Sequence, residues 1–178
     1  SLKVGAVHNL LLPDQSLADT LLTELGNDIA GAVTDIRRIV YDLRPPSLDE
    51  LGLVGTIRAR AAQYNTQYGH LQVQVEAPEH LPLLPAAIEV AVYRIVQEAL
   101  NNVARHAQAD ICKIKLSIAN DVRLEVSDDG RGLPAERHTG VGLIAMRERA
   151  VELGGTCVIE AVQPKGTRVL AHLPLPKE

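Results

Sequence analysis

Residues 92–107 read VYRIVQEALNNVARHA, and the rest of the fold is organised around them. They lie in a run whose apolar positions recur at helical spacing, which predicts a helix over Ala86–Arg105. Glu98 and Asn102 are four residues apart in this run, so their side chains share one face of the helix, one turn apart. Such a pair is common on solvated helices, and its meaning depends on the glycine motifs that follow.

Two glycine motifs come after this helix. Residues 128–133 read DDGRGL and follow an alternating segment that ends at Ser127, so Asp128 is predicted to end a strand and the glycines to begin a loop. Residues 140–142 read GVG and open another helical run, Leu143–Leu153. In this order, the three motifs predict a nucleotide held between a helix and a glycine-rich loop, with its phosphates facing a helix N-terminus.

The second motif suits the base of an adenine nucleotide. A carboxylate at a strand end, as Asp128 is expected to be, accepts a hydrogen bond from the exocyclic amine of adenine. Gly130 and Gly132 let the backbone approach the base without a side chain in the way. Asp129 either supports Asp128 through water or is simply exposed. The chain contains neither a Walker-type G-x-x-x-x-G-K-[ST] motif nor a G-x-G-x-x-G in a Rossmann context.

The first and third motifs suit the phosphates. Magnesium bound to ATP takes one or two protein oxygens, and we expect Asn102 to supply one while Glu98 orients a water or the metal shell. Arg105 and His106 continue the same helix and are candidate phosphate contacts. The backbone amides of a flexible segment at the start of the next helix are also expected to meet the phosphates, and this segment comprises Gly140, Val141, Gly142 and Leu143.

The composition of the chain limits the kinds of partner that we expect. The chain has 178 residues, 46% of them apolar, but no Phe or Trp, so its core must be built from Leu, Val, Ile and Ala. The lack of aromatic residues argues against binding of single-stranded nucleic acid, and a net charge of −4 argues against nucleic acid as a direct partner. Cys112 and Cys157 form neither a disulfide framework nor a metal motif, which predicts a reduced, cytoplasmic setting.

The N-terminal part predicts helices without strands. Residues 1–12 resemble the end of an apolar helix, and apolar residues recur over Leu17–Leu43 in steps of three and four, as in a coiled coil. We therefore predict a partial helical hairpin over residues 1–46, two copies of which would make a four-helix bundle. Residues 47–53 are predicted to be a linker, and residues 54–178 a second domain.

The second domain has a mixed pattern that predicts an α+β fold. Three segments have a helical period, and others alternate between apolar and polar residues as strands do. Two pairs of these strand-like segments are joined by short turns. We expect a two-layer sandwich in which a mixed sheet is covered by helices on one face. The predicted strands are Leu71–Glu76, Ile111–Ile118, Val122–Ser127, Thr156–Val162 and Gly166–Leu173.

These motifs resemble those of a known family. Residues 92–107 closely resemble the N-box of bacterial sensor histidine kinases, residues 128–133 their G1 box, residues 140–155 their G2 region, and Gly166-Thr167 their last glycine box. The MRER at 146–149 and the segment 43–53 are similar to the nitrate-sensor-like subfamily, which partners with response regulators carrying helix-turn-helix output domains.

The resemblance implies a Bergerat-type (GHKL) ATP-binding domain joined to a dimerisation and phosphotransfer hairpin, through which the intact protein would form a homodimer. It implies that Asp128 binds the adenine amine, that Asn102 is a magnesium ligand and that Thr167 lies on the pocket floor near adenine. Glu98, which activates water in related hydrolases, is assigned to metal and phosphate organisation. The resemblance also implies that Gly130, Gly132, Gly140 and Gly142 shape the nucleotide pocket and its mobile lid.

One departure from the family concerns the phosphoacceptor. In the subfamily this is a histidine followed directly by an acidic residue, and none of the six histidines here has that context. Since the chain begins as if inside a helix, we expect the acceptor to precede Ser1, in a longer protein that could include a membrane anchor. This chain would then bind ATP without phosphorylating itself.

Two other functions remain open at this point. One is a gyrase-like ATPase in which Glu98 activates water and nucleotide drives dimer closure. The other is a nucleotide-binding or dimerisation module without catalysis. The long helix before the ATP-binding domain favours the kinase, because gyrase-like ATPases place their transducer after it.

Overall fold

The computed structural model describes residues 44–133 and 140–176. The helical hairpin predicted for residues 1–46 therefore lies almost entirely outside the described residues, and so do residues 134–139 between the second and third motifs. The described elements are the helices α1 (Pro46–Gln67), α2 (Ala86–Asn102) and α3 (Val141–Glu152), and the strands β1 (Gln72–Glu76), β2 (Ile111–Ile118), β3 (Asp121–Asp128), β4 (Thr156–Ala161) and β5 (Thr167–Pro174).

The five strands form one mixed sheet in the order β1-β2-β3-β5-β4. Strands β2 and β3 are antiparallel neighbours joined by a tight turn, with Cys112 paired to Asp128, and β4 and β5 form a second hairpin. Strand β1 runs parallel to β2, because α2 lies between them in the chain and carries the chain back to the same edge. The predicted α+β architecture is confirmed, and every strand begins and ends within one residue of its predicted bounds.

One face of the sheet is covered and the other is open. In β2, Cys112, Ile114 and Leu116 are buried while the residues between them are exposed, and β3 alternates in the same way. The covered face packs against the helices, whose buried side chains include Ile95, Val96 and Leu100 of α2. The core is built from aliphatic side chains with a few others, as the absence of Phe and Trp requires.

Helix α1 begins earlier than the predicted domain does. Its first residue is Pro46, and Gly52 interrupts it with a positive φ of 67°. Leu48 and Leu53, on either side of this kink, are buried in the same core as α2. The segment predicted to be a linker, 47–53, is thus helical and contributes to the core, while the predicted division into domains stays a prediction.

Helix α2 does not continue as a regular helix to Arg105. It ends at Asn102 and is followed by a π-helical turn, Val103–Ala107, which stops at Gln108 with a left-handed φ of 52°. The Ala107 carbonyl at the end of this turn accepts a hydrogen bond from the Arg131 amide at 2.8 Å. A π turn is often found at functional sites, and here it carries the end of the first motif towards the second.

No helix in the described part of the chain is long and apolar enough to cross a membrane.

The two faces of the sheet offer a matched test of the fold. Val122 in β3 is fully buried, whereas Val158 in β4 is 50% exposed on the open face. We expect Val122→Ala to lower the free energy of unfolding by about 1.5–3 kcal/mol, through lost burial and a residual cavity. Val158→Ala should cost less than about 1 kcal/mol, since little burial is lost. Urea titrations measure both, and equal losses would contradict the assignment of the covered face.

Candidate nucleotide-binding site

A cavity of about 310 Å³ lies where the three motifs meet. The end of α2 and the π turn form one wall, β3 and β5 form the floor, and the loop after β3 and the start of α3 form the rim. Its described lining residues are Ala99, Asn102, Val103, His106, Ala107, Val126, Asp128, Arg131, Leu133, Gly140, Leu143, Ile159, Thr167 and Val169. The walls are mainly aliphatic, and a few polar side chains converge on them.

A larger depression of about 730 Å³ occupies the open face of the sheet. Lys115, Arg123 and His172 line it, and these side chains are paired with the carboxylates of Glu76 and Asp121. Its described lining includes no residue of the three motifs. The smaller cavity is therefore the candidate site, because chemistry rather than volume identifies it.

Asp128 stands at the end of β3 on the cavity floor. Its Oδ1 accepts a hydrogen bond from the Gly130 amide at 2.8 Å, and Thr167 at the start of β5 also bonds to the carboxylate. Burial raises the pKa of Asp128, and these hydrogen bonds oppose that rise. A carboxylate has about four lone-pair sites, so acceptor capacity remains for a ligand donor.

Asp129 has a different role from either of the two expected. Its Oδ1 accepts hydrogen bonds from the amides of Asp110 and Ile111, at 3.0 Å and 2.9 Å. The bond from Ile111 is the main reason that the pKa of Asp129 is lowered. Asp129 thus fastens the end of β3 to the start of β2. Sequence reasoning missed this, although an Asp directly after a strand end is a residue type that often caps free amides.

Gly130 and Gly166 pack backbone against backbone beneath the cavity. A Cβ atom at Gly130 would lie 2.4 Å from the Ala107 carbonyl oxygen, and one at Gly166 would lie 2.1 Å from the Asp128 carbonyl oxygen. Gly166 also has a φ of 116°, which side chains rarely tolerate. These contacts join the π turn, the loop after β3 and the start of β5, so the glycines set the shape of the floor without lining the cavity.

Glu98 and Asn102 have different surroundings although they share a helix face. Asn102 lines the cavity, whereas the Glu98 carboxylate lies against the first turn of α3. A Cβ at Gly142 would be 1.9 Å from Glu98 Oε1, so the glycine gives the carboxylate its room. The predicted lid residues separate in the same way: Gly140 and Leu143 line the cavity, while Val141 is 85% exposed.

Arg105 and His106 also diverge. His106 lines the cavity, with part of its side chain exposed. Arg105 is exposed and does not line the cavity. In helix α1, burial raises the pKa of Tyr64, while the charges of Arg60 and, to a smaller extent, Arg105 oppose the rise. The structure thus brings together Asn102, His106, Asp128, Gly140, Leu143 and Thr167 among the predicted site residues, and places Glu98, Arg105, Gly130, Gly132, Val141 and Gly142 outside the cavity lining.

The chain belongs to the family described as histidine kinase-, DNA gyrase B-, and HSP90-like ATPases. The family profile matches residues 87–177, which span all three motifs and both hairpins of the sheet. The matched region is an ATP-binding domain, and it has the α+β fold predicted from the sequence.

Two relatives indicate a narrower class of protein than the family profile does. The chain is 37% identical over 147 residues to the oxygen sensor histidine kinase NreB of Staphylococcus carnosus, a match over 80% of this chain and 42% of NreB. It is 35% identical over 150 residues to the sensor histidine kinase MctS of Rhizobium johnstonii, a match over 81% of this chain and 32% of MctS. The domain is thus a sensor histidine kinase catalytic domain, and the chain spans less than half the length of these relatives.

Solved structures share the fold. The histidine kinase domain of the blue-light activated kinase EL346 from Erythrobacter litoralis superposes with a TM-score of 0.65 at 22% identity, over 97% of this chain and 91% of that one. The ATP-binding domain of PrrB from Mycobacterium tuberculosis gives 0.54 at 23% identity, over 71% of this chain and 94% of that one.

The backbone contact at Gly130 can be tested by adding one methyl group. We expect Gly130→Ala to lower the free energy of unfolding by about 1–3 kcal/mol, because the Cβ overlaps the Ala107 carbonyl and the two backbone segments must separate. Gly69→Ala is the matched control, since a Cβ there has no atom within 4 Å. Thermal and urea unfolding measure both variants. Equal stability of the two would show that the loop and the π turn are not held in contact.

The neighbouring aspartates should titrate on opposite sides of the ordinary aspartate pKa. Burial raises the folded-state pKa of Asp128, so its contribution to stability is present at low pH and is lost as the pH rises through that pKa. The folded-state pKa of Asp129 is lowered, so its contribution is present above the ordinary pKa and is lost as the pH falls through the folded one. Carbonyl ¹³C NMR titration measures both, and Asp129 protonating before Asp128 as the pH falls would contradict the two environments.

Proposed function

We propose that this chain is the ATP-binding catalytic region of a sensor histidine kinase that transfers the γ-phosphoryl group of Mg-ATP to a histidine outside this chain. The phosphoryl group would then pass to an aspartate of a response regulator. The observation that carries the proposal is the convergence of Asp128 and Asn102 on one cavity whose rim is the start of α3. The names of the relatives support the reaction.

The adenine end of the cavity is assigned to Asp128 and Thr167. The carboxylate accepts from the exocyclic amine, and its bond to Thr167 fixes its orientation. The faces of the ring would lie between aliphatic side chains from opposite walls, chiefly Ala99, Val103 and Ile159. An aliphatic slot with one directional acceptor favours a flat base that carries an amine.

The phosphate end is assigned to Asn102 and the start of α3. The donor set fits magnesium: Asn102, which lines the cavity, carries an amide oxygen, and the Glu98 carboxylate one turn earlier is partly exposed and would hold a metal-bound water. When bound, magnesium would neutralise charge on the phosphates. Gly140 and the first amides of α3 would meet phosphate oxygens. His106 and Arg105 are further candidates for phosphate contacts.

The chemistry asked of these residues is mainly positioning. Phosphoryl transfer leaves little covalent work for the protein, so orientation and charge stabilisation supply most of the rate. In this proposal the residues of this chain bind and orient ATP, while the acceptor histidine belongs to the helical bundle. Since none of the six histidines is followed by an acidic residue, we expect no autophosphorylation of the 178-residue chain.

Partners and setting follow from the same proposal. The intact protein would be a homodimer through the four-helix bundle and would phosphorylate a response regulator with a helix-turn-helix output domain. Cys112 and Cys157 are free and buried, in keeping with the cytoplasmic setting proposed for this region. A nucleic acid is not proposed as a direct partner.

The gyrase-like ATPase is the alternative, since the same family includes such enzymes. In that case Glu98 would activate water. Its carboxylate lies beside Gly142, next to the proposed phosphate end, as this role requires. Steady ATP turnover by the chain, abolished by Glu98→Gln, would favour the ATPase. Absence of turnover together with tight Mg-ATP binding would favour the kinase.

Mg-ATP binding tests the site assignment. We expect Asp128→Asn and Asn102→Ala each to weaken binding about tenfold or more, because each removes an oxygen that meets a charged or donor group of the ligand. Isothermal titration calorimetry measures the dissociation constants. Asp110→Asn and Asn120→Ala are matched controls, since both side chains are exposed outside the cavity. Unchanged affinity in the two site variants would overturn the assignment, whereas loss of magnesium-dependent binding in both would argue against a non-catalytic module.

A further inference from the structure

A polar cluster joins α1 to α2 behind the candidate site. Tyr64 in the last part of α1 is only 4% exposed, and its hydroxyl group donates a short hydrogen bond to Oδ1 of Asn101. The two residues are 37 positions apart in the chain, so this bond is a tertiary contact between helices. No part of the proposed function uses it.

Two side chains pack against the Tyr64 ring. The Tyr68 ring stacks on it, with centroids 5.6 Å apart and planes inclined by 23°. The Arg60 guanidinium lies 5.3 Å from the centroid, within the range of a cation–π contact, and also donates to Gln63 at 2.8 Å. A ring confined in this way has little freedom, so its hydroxyl group marks a defined position against α2.

Asn101 lies next to the last residue of α2. It directly precedes Asn102, and successive residues of a helix point about 100° apart, so Asn101 faces α1 while Asn102 lines the cavity. The π turn starts at Val103, whose amide is shared between the carbonyls of Ala99 and Leu100. The bond from Tyr64 therefore adds a tertiary contact to α2 directly before the helical hydrogen-bond pattern changes.

We propose that Tyr64 is a positioning residue: by holding Asn101 it sets the place of the Asn102 side chain, and so it strengthens the magnesium-dependent part of ATP binding. This inference rests on the proposed function, in which Asn102 is a magnesium ligand. Tyr64 touches neither nucleotide nor metal. Through this hydrogen bond, helix α1 acts on the site without touching the ligand.

The experiment separates this role from simple packing. The full 178-residue chain is titrated with ATP in magnesium and again in EDTA, and the ratio of the two dissociation constants gives the magnesium increment. Tyr64→Phe removes the hydroxyl group and keeps the ring. We expect it to reduce the increment about fivefold, the scale of one net hydrogen bond, while ATP affinity in EDTA changes less than about twofold.

Two further sets of variants sharpen the test. Tyr68→Phe removes a hydroxyl group from the adjacent stacked ring and should leave the increment unchanged. Asn101→Ala should reduce the increment as Tyr64→Phe does, and the double variant should be no worse than either single one, because both act through one bond. Thermal unfolding of each variant is recorded, so that lost stability is not mistaken for lost positioning.

The outcomes are distinct. If Tyr64→Phe lowers ATP affinity equally in magnesium and EDTA, lowers only the unfolding temperature, or adds fully to Asn101→Ala, the positioning role is wrong and the proposed function stands. If the wild-type chain shows no magnesium increment, or if Asn102→Ala retains it, the metal assignment in the proposed function fails and the positioning role fails with it.

Discussion

The site depends on a close crossing of backbone at its floor. Gly130 passes so near the Ala107 carbonyl, and Gly166 so near the Asp128 carbonyl, that a single added carbon would overlap either oxygen. Three segments distant in the chain meet at this crossing: the π turn after α2, the loop after β3 and the start of β5. Because α2 carries Asn102 and β3 carries Asp128, the crossing sets the distance between the two residues to which the function is assigned.

Two consecutive aspartates at this crossing have different roles because their surroundings differ. Asp128 is turned towards the cavity, where burial raises its pKa, while Asp129 is turned towards two backbone amides that hold its pKa down. The first keeps acceptor capacity for a ligand, and the second ties β3 to β2. Adjacent residues of the same type thus serve binding and structure, and alternation of side-chain direction at the end of a strand is what separates them.

Much of this could be predicted from patterns along the chain. The strands of the second domain followed from alternation and the helices from their period, since a half-buried segment must match its hydrophobic repeat to its own geometry. Asp128 and Thr167 were expected in one pocket, and both line it. The part that could not be predicted concerns directions across helices. Glu98 lies against α3, and Arg105 is exposed outside the cavity lining, although their spacing along the chain places them close to Asn102.

Periodicity, residue type and motif order were sufficient for the architecture and for the kind of ligand, because these depend on local geometry and on the chemistry of single side chains. Packing was needed for the rest. The bond from the Arg131 amide to the π turn, the amide contacts of Asp129 and the bond from Tyr64 to Asn101 all join residues distant in the chain. Such contacts leave no period in the sequence, since they arise only when separate elements are brought together and each buried polar group must find a partner.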